Sequence, residues 1–203
     1  MRRKDREITG KDEIESIILQ CKTCHVAMVD HGLPYVVPLS FGYQFVNSDT
    51  VETVCTVEPR HIMTPVHTVT LMHTLELYFH SAWEGKKLDI FRRNNKVCFE
   101  MACEGESVHP ENPCSSGYYF ASVIGDGKVV FIQDNGEKCG ALSLMAKHQL
   151  GKDVVFSADQ AETVCVYKII STSFTGKRKP KPKLEHDWMI KNERLSRHDN
   201  HYF

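Results

Sequence analysis

The chain is 203 residues long and 41% hydrophobic, enough for one substantial core, so a single main folding unit is expected. A formal charge of −1 argues against a molecule drawn to nucleic acid or to a membrane by its overall field. No apolar run approaches the roughly 20 residues of a spanning helix, and the opening MRRKDREITGKDE has no apolar secretion segment, so a cytoplasmic protein is expected.

Thr9 is the expected N-cap of a first helix, with Asp12 and Glu13 in its first turn. Ile14, Ile17, Ile18 and Cys21 form its apolar face, and it should run from about Lys11 to Lys22. His25 to Val29 alternates as a strand, Asp30-His31-Gly32 turns, and a second strand from Tyr35 to Phe45 completes a hairpin. Residues 48–76, SDTVETVCTVEPRHIMTPVHTVTLMHTLE, are rich in β-branched residues and read as two lengthened strands of a protruding hairpin. His61, His67 and His73 lie in it at spacings of six, which is not a compact ligand set, so no metal is assigned. Val97–Ala102, Tyr118–Gln133 and Val164–Ile170 read as further strands, and Asn135–His148 as a helix with Leu142, Met145 and Ala146 inward. Many strands with two or three helices indicate a mainly β, α+β chain whose antiparallel sheet forms a closed or split barrel.

Eight cysteines are expected as thiols in a reducing compartment. Cys21-Lys22-Thr23-Cys24-His25 fits the C-x-x-C-H pattern of covalent haem attachment. Cys21 closes a helix face and His25 opens a strand, however, so two thiols at a helix-to-strand turn are the expectation. The charge is uneven: Thr175 to Phe203 carries eight Lys/Arg and four Asp/Glu, leaving 17 basic and 22 acidic residues, or −5, for the body. Within that tail the proline-spaced run Lys177 to Lys183 suits either phosphate tracking or a solvated linker; the linker is preferred and no nucleic acid is assigned.

The stretch from Leu77 to Glu100, LYFHSAWEGKKLDIFRRNNKVCFE, carries the most chemistry. A strand runs through Ser81 and Gly85 into a helix that opens with Lys86 and Lys87 and carries Leu88 and Phe91 three apart. Glycine permits close backbone approach, the first helical N–H groups point outward with the positive end of the dipole, and two lysines add full charges. That is a phosphate site in outline, although ordinary solvated helix starts share the spacing.

This stretch resembles the segment of the pyridoxamine 5′-phosphate oxidase-like flavin proteins that holds the FMN phosphate, with most likeness to their nitroimidazole-resistance (Nim-type) branch. RRKDREIT, CHVAMVDHGLPYVVPLSFGY, YYFASVIGDGKVVFIQD and the late FTGKRK agree in order and spacing, so the resemblance covers roughly residues 2–178. It implies an FMN-binding split β-barrel of antiparallel Greek-key type over residues 1–175. Residues 176–203 would then be a basic tail, with a short helix near Leu184 to Leu195.

The resemblance further implies FMN, or FAD, in a groove at a homodimer interface. Val37, Pro38, Leu39 and Ser40 would offer backbone groups to ring and ribityl chain, and Lys86 and Lys87 would hold the phosphate. Phe79, His80 and Ser81 would stand at the strand end beside the cofactor, with Ser122 and Val123 close by. Lys177 or Arg178 would reach the phosphate and Trp188 would cover the ring. His80 would donate a proton or orient a small-molecule substrate, since imidazole titrates near neutrality. The oxidases proper carry an arginine where Val37 stands, so an uncharged electron-poor substrate such as a nitroimidazole fits better than vitamin B6. A non-catalytic flavin-binding or storage protein and a split-barrel haem binder are the alternative readings.

Overall fold

A computed structural model of the protein describes residues 3–57, 63–108 and 117–179, the side chains of residues 48–57, 63–72, 104, 106 and 108 excepted. After a 3-10 turn at Lys4–Arg6, strand β1 (Glu7–Ile8) leads to helix α1 (Lys11–Ile18), which buries Ile14, Ile17 and Ile18. This helix is shorter than the expected span to Lys22. Beyond Ile18 the bonds tighten, with Gln20 N–H to Ile17 O at 3.0 Å and Cys21 N–H to Ile18 O at 3.0 Å, and the chain leaves the helix. Gly10, not Thr9, occupies the N-cap.

Strands β2 (Thr23–Asp30) and β3 (Leu33–Ser40) form the expected hairpin. Asp30 pairs with Leu33 across a two-residue loop in which His31 (φ 48°) and Gly32 (φ 85°) both take positive φ, the type I′ geometry that suits strand twist. β4 (Gly42–Val57) and β5 (Met63–Ser81) pair from Gly42↔Tyr78 to Val57↔Met63, so residues 48–57 and 63–76 continue the two strands. Helix α2 (Lys86–Arg93), strands β6 (Lys96–Val108) and β7 (Gly117–Phe131), helices α3 (Asn135–Leu150) and α4 (Ala158–Glu162), and strand β8 (Cys165–Lys179) complete the order. Residues 176–179, assigned from sequence to the tail, are therefore paired in the sheet. The helix expected near Leu184 to Leu195, Trp188, Cys114 and His61 lie outside the described residues. Among the described residues no helix is long and apolar enough to cross a membrane.

The sheet runs β3-β2-β6-β7-β8-β5-β4, antiparallel at every pairing, with β1 added to β8. β3 and β4 are its opposite edges, yet only Phe41 separates Ser40 from Gly42. One residue spans only about 3.8 Å between Cα atoms. The sheet must therefore curl until its two edges meet, and Phe41, fully buried, plugs the seam. No ladder joins β3 to β4, so the sheet is a split barrel and not a closed one. The single strand expected from Tyr35 to Phe45 is broken there for the same reason: its halves belong to different edges.

Inside the curl, Phe79 stacks on Tyr167 at 5.5 Å between ring centroids, with Phe91 and Phe131 tilted against Tyr167. On the outer side of β5 and β8, Tyr78 and Val166 meet Ala141, Leu142 and Met145 of α3. A polar cluster supports the same contact. Lys168 Nζ lies 3.1 Å from Glu76 and 2.9 Å from Glu137 of α3, while Gln44 and Tyr78 donate to Glu76. Burial opposes ionisation of Glu76, but these bonds prevail and hold its pKa below the usual carboxylate value.

The start of β4 lies directly beneath α3. A Cβ on Gly42 would come within 2.6 Å of Met145 N and 2.8 Å of Leu144 C, both backbone atoms that cannot swing aside. Gly42→Ala is therefore expected to push α3 off the sheet and cost about 1–3 kcal/mol in urea unfolding. An unchanged midpoint would show that α3 does not pack this closely.

Candidate functional site

Gly85 is the N-cap of α2 at φ 138° and ψ 153°, a conformation that side chains rarely adopt, and open space surrounds the place where a Cβ would stand. The first intrahelical donor is Leu88 N–H, bonded to Gly85 O at 2.9 Å. Helix geometry thus leaves the N–H groups of Lys86 and Lys87 without an intrahelical acceptor.

The two lysines differ in what they face. Lys86 Nζ lies 3.1 Å from Asp30 Oδ2 and 4.6 Å from the centroid of Tyr35. Arg93 reaches the same carboxylate at 2.6 Å. The hydrogen bond from Lys86 is the main reason the Asp30 pKa lies below its usual value. Lys87 is half-buried, and its charge helps to hold the pKa of His80 down.

Strand alternation buries Phe79 and turns His80 outward. His80 and Ser40 line one cavity of about 420 Å³, with Leu142, Met145 and Gln149 of α3 and with Gln160 and Thr163 at α4. No Lys, Arg, Asp or Glu belongs to its lining among the described residues. The apolar surroundings are the first cause of the lowered His80 pKa and Lys87 the second, and both favour the neutral imidazole. Ser81 pairs with Cys165, and its hydroxyl donates to Ala82 O at 2.9 Å.

The remaining sequence-selected residues divide into three groups. On β3, Pro38 and Ser40 are exposed, whereas Val37 and Leu39 pack partly against the core. The two-residue hairpin loop sets the bonding parity: Leu33, Tyr35, Val37 and Leu39 direct their backbone groups at β2. Pro34, Val36, Pro38 and Ser40 then face the open edge. Ser122 and Lys177 are direct partners across β7 and β8, with Lys177 Nζ over the Phe120 ring at 5.3 Å, while neighbouring Val123 is fully buried. His80 meets β8 at Val166, eleven residues before Lys177, or roughly 35 Å of extended strand. One chain does not bring Lys177 or Ser122 to His80.

Sequence reading missed Asp30 as the counter-ion of Lys86, and it missed Gln149, Gln160 and Thr163 in the cavity wall. One signal for the wall was present. Ser157-x-x-Gln160 is a reciprocal capping box that fixes the start of α4.

Sequence comparison places the chain in a family at this point. Residues 10–178 match the family model described as pyridoxamine 5′-phosphate oxidase, and the chain belongs to that family. A solved structure of a candidate 5-nitroimidazole antibiotic resistance protein from Bacteroides thetaiotaomicron is 32% identical, covering 84% of this chain and 85% of that one, with a TM-score of 0.63. The flavocytochrome Anf3 from Azotobacter vinelandii shares the fold at 15% identity, 94% and 78% coverage and a TM-score of 0.63. An FAD- and haem-binding protein from Mycobacterium smegmatis does so at 13% identity, 92% and 80% coverage and a TM-score of 0.63. No curated protein matches the sequence.

The unequal lysines make a direct electrostatic expectation. Lys87→Met should raise the His80 pKa toward the ordinary imidazole value in an NMR titration, whereas Lys86→Met, whose charge Asp30 already meets, should leave it in place. Equal responses would contradict the assignment of Lys87 to the His80 side.

Proposed function

We propose that the protein is a flavin-dependent reductase of small, uncharged, electron-poor molecules, with nitroimidazoles as the model substrate class. The observation that carries this reading is a cavity free of charged side chains that joins His80 to Ser40, next to a helix start bearing Gly85, Lys86 and Lys87.

These residues fit a flavin monophosphate. The free N–H groups of α2 and the ammonium of Lys87 would hold the phosphate, with Lys86 contributing as far as Asp30 releases it. The open edge at Ser40 supplies a backbone donor beside the cavity, and α3 and α4 supply its walls. Bound FMN, or FAD, supplies the electron transfer through its isoalloxazine ring. His80 at neutral pH donates one N–H to a substrate acceptor and so orients it; below its lowered pKa it also delivers a proton. A phosphate paired with Lys87 would cancel part of the charge that lowers this pKa and raise it. Val37, aliphatic where the oxidases proper have arginine, and the uncharged lining both argue against a phosphorylated vitamin B6 substrate. The 32% identical Bacteroides protein, described in terms of 5-nitroimidazole resistance, supports the substrate class.

A homodimer completes the site in this reading. Ser122 and Lys177 lie too far along the sheet to serve the His80 cavity of their own chain, and a second copy would bring them to it. The outer sheet face also exposes Val29, Val36, Ile124 and Val130, an apolar surface that a second copy would cover.

Purified protein should show flavin absorption in the visible region, and acid release followed by chromatography would distinguish FMN from FAD. Lys86→Ala with Lys87→Ala is expected to weaken flavin binding at least tenfold, since a charged phosphate contact contributes roughly 1.5–3 kcal/mol. Colourless protein that takes up neither flavin would overturn the reading.

His80→Ala should keep flavin but cut turnover of a nitroaromatic by about 10²–10⁴-fold. With wild type the rate should rise as pH falls through the lowered His80 pKa, and His80→Gln should flatten that limb. Full turnover in His80→Ala removes the catalytic role. Sedimentation at micromolar concentration is expected to give a dimer, and a flavin-bound monomer would contradict the shared site.

A further inference from the structure

We propose that Cys21 and Cys103 form a reversible disulfide, a thiol-modification site separate from the flavin reading and independent of it. The two sulfurs lie 3.2 Å apart although 82 residues separate them in the chain. This is the one sulfur–sulfur contact among the described residues.

Two different elements hold the pair in place. Cys21 stands in the tightened turn after α1, where its N–H bonds to Ile18 O at 3.0 Å and its carbonyl lies 2.8 Å from His148 Nε2 of α3. Lys22 Nζ reaches back to His148 O at 2.5 Å, tying the same turn to the same helix. Cys103 sits on β6 on the side facing α1, and its thiol donates to Ile17 O at 3.4 Å. With that proton on the helix carbonyl, a sulfur lone pair of Cys103 is left to accept from the Cys21 thiol. The sulfurs stand about 1.2 Å farther apart than the ~2.05 Å of a disulfide.

The two thiols have unequal access, which gives the reaction an order. Cys21 is 1% exposed and burial pushes its pKa up, whereas Cys103 is half-buried. The oxidant we assign is a small-molecule disulfide such as oxidised glutathione. The Cys103 thiolate attacks one of its sulfurs, breaking the S–S bond and expelling one small thiolate. Cys21 gives its proton to that thiolate and attacks the Cys103 sulfur, which expels the second small thiolate, and this takes up the proton that Cys103 had released to solvent. Two protein thiols and one small disulfide thus become one protein disulfide and two small thiols. Two electrons pass from the cysteines to the small molecule, and excess small thiol reverses every step.

The C-x-x-C-H run takes on a different meaning here. Cys24 points into the core from β2, burial raises its pKa to about 12, and it makes no sulfur contact with Cys21. His25 lies 3.2 Å from Glu100 on the other face of the sheet. The partner of Cys21 is across the fold and not three residues away.

The experiment equilibrates the full-length protein with reduced and oxidised glutathione, quenches it with acid, alkylates free thiols and maps the peptides by mass spectrometry. The expected result is a Cys21–Cys103 linked peptide that appears with rising oxidised fraction and disappears on return to reduced glutathione. Cys21→Ser should accumulate glutathione on Cys103, because the resolving thiol is gone, and Cys103→Ser should leave Cys21 unmodified. If either variant fails to fold, the wild-type peptide map decides alone. Glutathione adducts that persist on Cys103 of the wild type, a Cys21–Cys24 linkage, or both thiols remaining alkylatable at full oxidation would each overturn the proposal.

Discussion

One connection shapes the molecule: a single residue must carry the chain from one edge of a seven-strand path to the other. Phe41 can do this only if the sheet rolls until β3 and β4 adjoin, and the same rolling encloses Phe79, Tyr167 and Phe91. It also determines where a cavity can form. Ser40 at the end of β3 and His80 near the end of β5 are far apart along the sheet path but adjacent across the seam, and α3 lies over the gap because Gly42 lets it approach to backbone contact.

Charge is distributed around the seam with equal consequence. Asp30 gathers Lys86 and Arg93 at the hairpin end, joining β2 to both ends of α2. That leaves the half-buried Lys87 as the cation whose field His80 feels. An anion arriving at the helix start would therefore act on the imidazole through Lys87, so occupancy of one site would change the protonation of the other. This coupling is electrostatic and requires no movement of the backbone.

What the sequence revealed and what it hid divide along physical lines. Local signals were readable: Asp30-His31-Gly32 announces a turn, the spacing of Ile14, Ile17 and Ile18 announces a helix face, and Gly85-Lys86-Lys87 announces a helix start. Strand ends were less so, because whether a chain breaks at Phe41 or a helix stops at Ile18 depends on where the sheet needs the next strand. Contacts between distant segments left no local trace. The Lys86–Asp30 pair, the Cys21–Cys103 contact and the separation of Lys177 from His80 all follow from sheet order and register, which one sequence does not display.

The prolines of β3 have a consequence for assembly. Pro34 and Pro38 stand at two of the four positions whose backbone faces the open edge, and neither has an N–H. Only Val36 and Ser40 remain as donors along that edge, too few to template a strand from another molecule. Growth by strand addition at this edge, the ordinary route from an exposed edge to fibrils, is thus hindered by the chain's own covalent structure. An association of two molecules at β3 would have to use side chains instead, and such a contact is saturated once it is made.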